Sequence, residues 1–420
     1  MSFNFAYLSG GRLYLKLGQA TVQSIASEFG QAAQQRGFQM QRRNNWKQKS
    51  LTANFMSGGM SGDVQQDRSI VPVAVQGVCP TSADRLIYTL EAGEIGGIFT
   101  LERFAAPHRV GAIENLSLNA TSTLEYRQQT REKRLFHSAN FKVDRIDFHP
   151  DYQLIACATI GKDGTANIAM MPVNGVHLEE VTEGDSIDLA PKWMPGFRKI
   201  IVFQSAGICR DGAGYIVEQQ HSTIEQLDID NREVIILASD PKYDLLSPQM
   251  DADGTLYYIR RPYRPLRQRV LFSQTLKDAL LIPVKLLIAI FEWLNFFTRR
   301  YTGKSLLAVP QVQQVRHQQM LFLGRWVDVG REIERNHRFG DADSPALVPR
   351  SWELVKQKPH QEPQIIGRGV LAFDVGLDGQ IVYSNGSAIY GIVPGGVAQR
   401  LLVDRPIEQV VILDRENHLN

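Results

Sequence analysis

An all-β fold of six repeating sheets with two helical insertions is predicted from three features of the 420-residue chain. A short strand–turn–strand phrase recurs along it, both chain ends read as strands, and two segments break the pattern with helical composition. Hydrophobic residues make up 43% of the sequence, enough core material for one large body spanning residues 1–420.

The recurring phrase supplies five of the six units. It runs VCPTSADRLIYTLE from Val78, IDFHPDYQLIACAT from Ile146, APKWMPGFRKIIVFQS from Ala190, SPQMDADGTLYYIRR from Ser247 and AFDVGLDGQIVYSNG from Ala372. Each copy has a strand ending on an apolar residue, a turn of Pro, Asp or Gly, and then a β-branched or aromatic strand. The turn residues have mechanical reasons: Pro presets φ, Asp bonds its own backbone, and Gly supplies positive φ, as in Asp253-Gly254 and Asp378-Gly379. With Val78, Phe148, Trp193, Met250 and Val375 as equivalent anchors, the spacings are 70, 45, 57 and 125 residues. The shortest suits a four-stranded propeller blade, and the longer ones must hold insertions.

The sixth unit comes from the ends. Asn4 to Ser27 reads as three strands and Ile407 to Asp414 as one. Together they make a mixed blade that closes a six-bladed β-propeller and removes open sheet edges. The stretch from Ala105 to Asn140 could add a seventh blade through LEYRQQ and RLFHSAN, but it lacks the turn phrase.

These phrases resemble the TolB-like, WD40-like β-propeller repeat, approximately Ser-Pro-x-apolar-Ser-Pro-Asp-Gly before an apolar strand. Ser247, Pro248, Asp253 and Gly254 match it best. Ala190, Pro191, Trp193, Pro195 and Gly196 match without the Asp, and Pro150 and Asp151 keep the turn. The resemblance implies a propeller and leaves its role open. Periplasmic TolB proteins are exported and carry a separate N-terminal domain. Here the N-terminus has no basic n-region followed by an apolar h-region, so a cytoplasmic protein is expected. Three cysteines without paired spacing fit a reducing compartment and exclude a disulfide framework.

The first insertion, 28–50, reads as a polar, basic helix behind a Ser27 cap. Its Arg42, Arg43 and Lys47 raise a nucleic-acid-binding alternative, disfavoured beside a solvated helix and a formal net charge of only +2. The second, 261–305 within the fifth blade, holds the most apolar stretch of the chain. From Ala279 to Phe297, 15 of 19 residues are apolar, giving a helix about 28 Å long. Lys285 and Glu292 near its middle disfavour spanning. A crossing would also part the closing strands from their own propeller.

Asp278, Lys285, Glu292 and Arg299 recur every seven residues as one polar stripe. Leu281, Ile282, Leu286, Leu287, Ile290, Phe291, Trp293, Phe296 and Phe297 leave the rest apolar. The basic flank is Arg261, Arg264, Arg267, Arg269, Arg299, Arg300 and Lys304. With Lys277 and Lys285, against Asp278 and Glu292, it gives a local charge of +7. This pattern predicts an interfacial helix docking the protein at a membrane surface, the inner face for a cytoplasmic protein. A protein partner, a homodimer seam or the propeller's own flank are the alternatives.

Catalytic motifs fail on context. Thr302-Gly-Lys-Ser follows an apolar helix instead of a strand, and the Gly367 GxGxxA match runs into a strand. Gly184-Asp-Ser186-Ile echoes a hydrolase nucleophile block but leads into a strand, and Asp414 and His418 lack the partner spacing. Asp228-Ile-Asp-Asn lacks the Gly and distant Glu of a calcium loop. The nine histidines are scattered. No cofactor, metal or catalytic residue is expected. The prediction is a non-enzymatic scaffold that binds a protein partner, with a hydrolase site at the propeller channel as the alternative.

Overall fold

The computed structural model describes residues 3–51, 72–102, 131–265 and 319–413, with 83, 94, 176 and 197 excepted. The predicted 279–297 helix therefore lies outside the described residues, as do LEYRQQ and Thr302-Gly-Lys-Ser.

Strands dominate. β1 (Phe5–Ser9), β2 (Arg12–Lys16) and β3 (Gln23–Ile25) form an antiparallel meander, followed by helix α1 (Glu28–Leu51). Ser27 caps the helix as its sequence predicts, its Oγ accepting from Gly30 N at 3.0 Å. The second sheet is β4 (Val73–Ser82), β5 (Arg85–Ala92), β6 (Ile95–Glu102) and β7 (Arg131–Ser138). RLFHSAN thus supplies the fourth strand of this sheet. Glu132 on β7 ties α1 down by accepting from Ser27 Oγ at 2.6 Å and Phe29 N at 3.1 Å.

A nine-stranded sheet follows: β8 (Phe141–His149), β9 (Leu154–Gly161), β10 (Ala166–Pro172), β11 (Glu179–Glu180), β12 (Ser186–Trp193), β13 (Ile200–Arg210), β14 (Ile216–Gln219), β15 (Thr223–Asp228) and β16 (Glu233–Ala238). It divides naturally between β10 and β12, which meet in parallel only at Ala166 and Ile187. Next come β17 (Tyr243–Met250) and β18 (Leu256–Pro262), then a hairpin of β19 (Gln319–Phe322) and β20 (Arg325–Asp328), then helix α2 (Val329–Phe339). β21 (Glu353–Gln357) and β22 (Gln364–Arg368) complete the β17 sheet. Of the insertion expected at 261–305, Arg261 and Pro262 belong to the second strand of this sheet and 266–305 lie outside the described residues. The last sheet is β23 (Ala372–Val375), β24 (Ile381–Ser384), β25 (Ala388–Ile392) and β26 (Gln399–Val403). β27 (Ile407–Ile412) returns to pair antiparallel with β1, Phe5 opposite Ile412.

The hairpin turns follow the predicted chemistry. In the β17–β18 turn Asp251 Oδ1 accepts from Asp253 N and Thr255 N at 3.1 and 2.8 Å, and Gly254 takes φ +77°. The leading strands touch in chain order: β4 against β8, β8 against β12, β12 against β17 and β17 against β23. β23 packs on β27, and β27 on β4. Between sheets, apolar faces interlock. Leu86, Tyr88 and Phe99 meet Leu13, Leu15 and Val411, while Trp352 and Tyr257 anchor the core beneath α2.

Candidate functional site

A repeated bulge prepares the site. The register of β8, β12 and β17 slips at Asp144/Ile146, Leu189/Lys192 and Leu246/Gln249. In each bulge one residue takes positive φ: Arg145 at +40°, Ala190 at +53° and Ser247 at +51°. Such backbone costs about 1–3 kcal/mol per residue away from glycine, so the surrounding structure must hold it. Two residues on stand Asp147, Lys192 and Gln249, each immediately before a predicted anchor. Asp374 and Gly77 hold the same place before Val375 and Val78.

These residues staple one sheet to the next. Asp147 Oδ2 accepts from Trp193 N at 2.8 Å, and Asp374 Oδ2 from Ile412 N at 2.8 Å. Gln249 bonds both ways across to β23, accepting from Val375 N at 3.0 Å and donating to Phe373 O at 3.1 Å. Gln409 does the same to Val78 N and O, both at 3.2 Å. Gln204 Oε1 accepts from Ser247 N at 2.8 Å. Lys192 Nζ bridges Asp147 Oδ1 and Asp374 Oδ1 at 3.2 and 3.3 Å. Both carboxylates are almost wholly buried, so the ammonium and main-chain donors replace the water they lose.

Two concave mouths flank this layer. The first, about 270 Å³, opens between turns after β8, β12, β17 and β23, with Phe148, Trp193, Met194, Met250, Val375 and Leu377 in its wall. His149 packs there edge-on to Trp193, centroids 5.1 Å apart, and to Tyr152 at 4.9 Å. Neither its ring nitrogens nor the Trp193 indole N–H has a hydrogen-bond partner among the described residues. The second mouth, about 380 Å³, sets the polar groups of Gln76, Asp144, Arg145, Gln219 and Glu408 among apolar walls such as Leu189 and Leu246, with the Leu323-Gly324 hairpin tip on its rim. Burial raises the Asp144 and Glu408 carboxyls above their usual range, while Arg145 pulls both back.

Among the predicted anchor and flank residues, Arg261 and Arg264 lie among the described ones. Arg264 is exposed. Arg261 is buried, its Nε 2.9 Å from Asp244 Oδ2 and its Nη1 donating to Leu323 O at 2.8 Å. Arg325 grips the same Asp244 oxygen at 3.0 Å. Together they clamp the hairpin over the mouth. Arg261 is thus a structural cation instead of an exposed flank charge. Burial lowers its pKa and carries Arg325, next to it, down to about 10. Leu281, Ile282, Leu286, Leu287, Ile290, Phe291, Trp293, Phe296, Phe297, Arg267, Arg269, Arg299, Arg300 and Lys304 lie outside the described residues, as do the side chains of Arg42, Arg43 and Lys47.

Ser186 begins β12, paired with Gly207. Among the described residues no group of three or more His, Cys, Asp or Glu is placed to hold a metal ion, and no helix is long and apolar enough to cross a membrane. The staples went unread in sequence because their types differ, although the shared step before each anchor was visible.

No family model matches the chain, and no curated protein matches it. Similar solved structures include a nidogen/laminin complex, with TM-score 0.47, 9% identity and 98% of each chain covered. TolB from Acinetobacter baumannii gives TM-score 0.47 and 10% identity over 97% of this chain and 66% of that one. Tricorn protease gives 0.43 and 10% over 98% and 34%. None reaches a TM-score of 0.5, so the functional reading rests on geometry.

Proposed function

We propose that this chain is a six-bladed, TolB-like β-propeller acting as a non-enzymatic scaffold, with a partner bound at the apolar mouth of its central channel. The ring is supported by the succession of leading-strand contacts from β27 through β4, β8, β12, β17 and β23 back to β27. One observation carries the scaffold role: the channel-facing Asp147, Asp374, Gln249 and Gln409 are consumed in binding the next sheet. A general acid or base must reach a substrate proton, and these carboxylates are committed to Lys192 and main-chain N–H groups. The mouth beyond them offers apolar walls suited to a docked side chain.

The test is a hydrolase panel, p-nitrophenyl esters included, on purified protein. The scaffold reading expects no turnover above background. Turnover that Asp374→Asn abolishes in a folded protein would overturn it. The same role includes docking at an anionic membrane through residues 278–300, supported by their apolar face and basic neighbours. Flotation with anionic liposomes should be lost when 279–297 becomes a Gly/Ser linker. Equal flotation of both proteins, or of neither, removes the membrane from the function.

A further inference from the structure

The hairpin and helix between β18 and β21 present an exposed outer face. Phe322, Val327 and Val329 are buried in one core with Trp352, and Ile333 packs against it, so β19, β20 and α2 share an inner side. On the other side of the hairpin Leu321 stands across from Trp326, and the two are 53% and 67% exposed. On α2, at about 100° per residue, Arg331, Arg335 and Arg338 fall within about 60° of one another, opposite the core-facing Val329, Ile333 and Asn336. All three arginines are exposed, Arg335 even while ion-paired to Glu332 at 3.3 Å. Glu334 lies at the edge of this face, which is therefore cationic. The chain that carries residues 278–300 leaves and re-enters beside it. Arg325 Nη1 donates to Pro262 O at 2.7 Å, which fixes the end of β18 at the hairpin. Exposed Arg264 follows, and β19 begins at Gln319.

We propose that this outer face docks on anionic lipid, with Arg331, Arg335 and Arg338 against the headgroups and Trp326 and Leu321 at the headgroup boundary. The proposal rests on the membrane reading of residues 278–300 and adds a contact made by the folded body. Charge and side-chain type select the occupant. Guanidinium groups pair with phosphate in a bidentate fork, and tryptophan is favoured where apolar and headgroup layers meet. An anionic leaflet attracts arginines that lie within a Debye length of it, so three on one helix face act together. The segment carrying the apolar stretch joins the described body beside this face, so both contacts reach one surface. The first mouth lies on the far side of the staple layer and stays open to a partner.

Cosedimentation of the full chain with phosphatidylcholine vesicles, with and without phosphatidylserine, tests this face. The intact protein should bind the phosphatidylserine vesicles, and added salt should weaken the binding. Arg331→Gln with Arg335→Gln and Arg338→Gln should lower the partition coefficient by at least about tenfold. Trp326→Ser should lower it too, and thermal unfolding of both variants should stay cooperative. Arg85→Gln with Arg198→Gln and Lys358→Gln removes the same charge from exposed turns on the first mouth's side and should change binding by less than about twofold. Binding that the α2 arginine variant leaves intact, yet a Gly/Ser linker in place of 279–297 abolishes, overturns this face and keeps the membrane reading. An intact chain that binds no phosphatidylserine vesicles overturns both. Equal losses in the two triple variants reduce the effect to net charge and overturn the assignment to α2.

Discussion

Asp147 and Trp193 stand on neighbouring sheets, and the carboxylate of the first accepts the main-chain N–H of the second at 2.8 Å. The other oxygen of Asp147 lies 3.2 Å from Lys192, which reaches on to Asp374 at 3.3 Å. One half-buried cation thus ties together two buried carboxylates 227 residues apart, as 374 − 147 counts them. These sheets are held by a polar chain as well as by apolar packing.

Removing one member of this chain should therefore cost more than a surface charge would. Asp374→Ala leaves Ile412 N without its acceptor and Lys192 with one carboxylate, a loss of about 3–5 kcal/mol for a broken buried pair. Lys192→Met, which leaves two facing carboxylates, should also destabilise, whereas Lys192→Met with Asp147→Asn should recover part of the loss. Urea unfolding of the three variants measures this. Equal midpoints for Asp374→Ala and the unaltered protein would show that the chain contributes nothing.

Gly77 occupies the staple position in β4, where the other sheets carry polar side chains. A Cβ there would stand 3.1 Å from Arg145 Cα and N, and that backbone already sits in a positive-φ bulge. Gly77→Ala should destabilise by about 1–3 kcal/mol through overpacking between β4 and β8. Thermal melts check it, with Gly10→Ala as a reference for positive φ in open space, since no atom lies within 4 Å of its added Cβ.

Thiol accessibility separates the cysteines. Cys79 and Cys157 are buried and Cys209 is exposed, with no disulfide among them. Burial pushes the Cys157 thiol up to about 12, far from the thiolate that attacks a disulfide reagent. Titration with such a reagent at pH 8 should find one fast thiol in the native protein and three in urea. Two or more fast thiols in the native protein would mean that the β4 to β9 core opens readily.

Much of the repeat was legible in sequence because a hairpin turn needs particular residues at fixed places. Asp253-Gly254 and Asp378-Gly379 adopt positive φ at glycine where expected, and the terminal strands share the β27–β1 pairing that their patterns suggested. The staples were not legible. Asp147, Lys192, Gln249 and Asp374 do one job with three chemical types, and their partners lie up to 331 residues away, as for Gln409 and Val78. The β19–β20 hairpin and α2 carry no repeat phrase, and only the fold shows Arg261 and Arg325 converging on Asp244. A count of basic residues along the chain treats Arg261 as exposed charge, because burial is a property of neighbours distant in sequence.

The second mouth makes the last prediction, on pH. Asp144 titrates above its ordinary value of 3.8 because burial outweighs the attraction of Arg145. Its folded pKa exceeds its unfolded one, so between the two the folded chain binds more protons and stability falls as pH rises. The ionised group therefore weakens the fold at neutral pH, and this penalty disappears once pH drops below 3.8. Asp144→Asn keeps an Oδ1 to accept from Arg145 N, as Asp144 does at 2.8 Å, while removing the charge. It should raise the urea midpoint at pH 7 and change it little near pH 3.5, relative to the unaltered chain at each pH. If the variant is instead less stable at pH 7, the attraction between Asp144 and Arg145 exceeds the cost of burial, and the sign of the shift at this mouth is reversed.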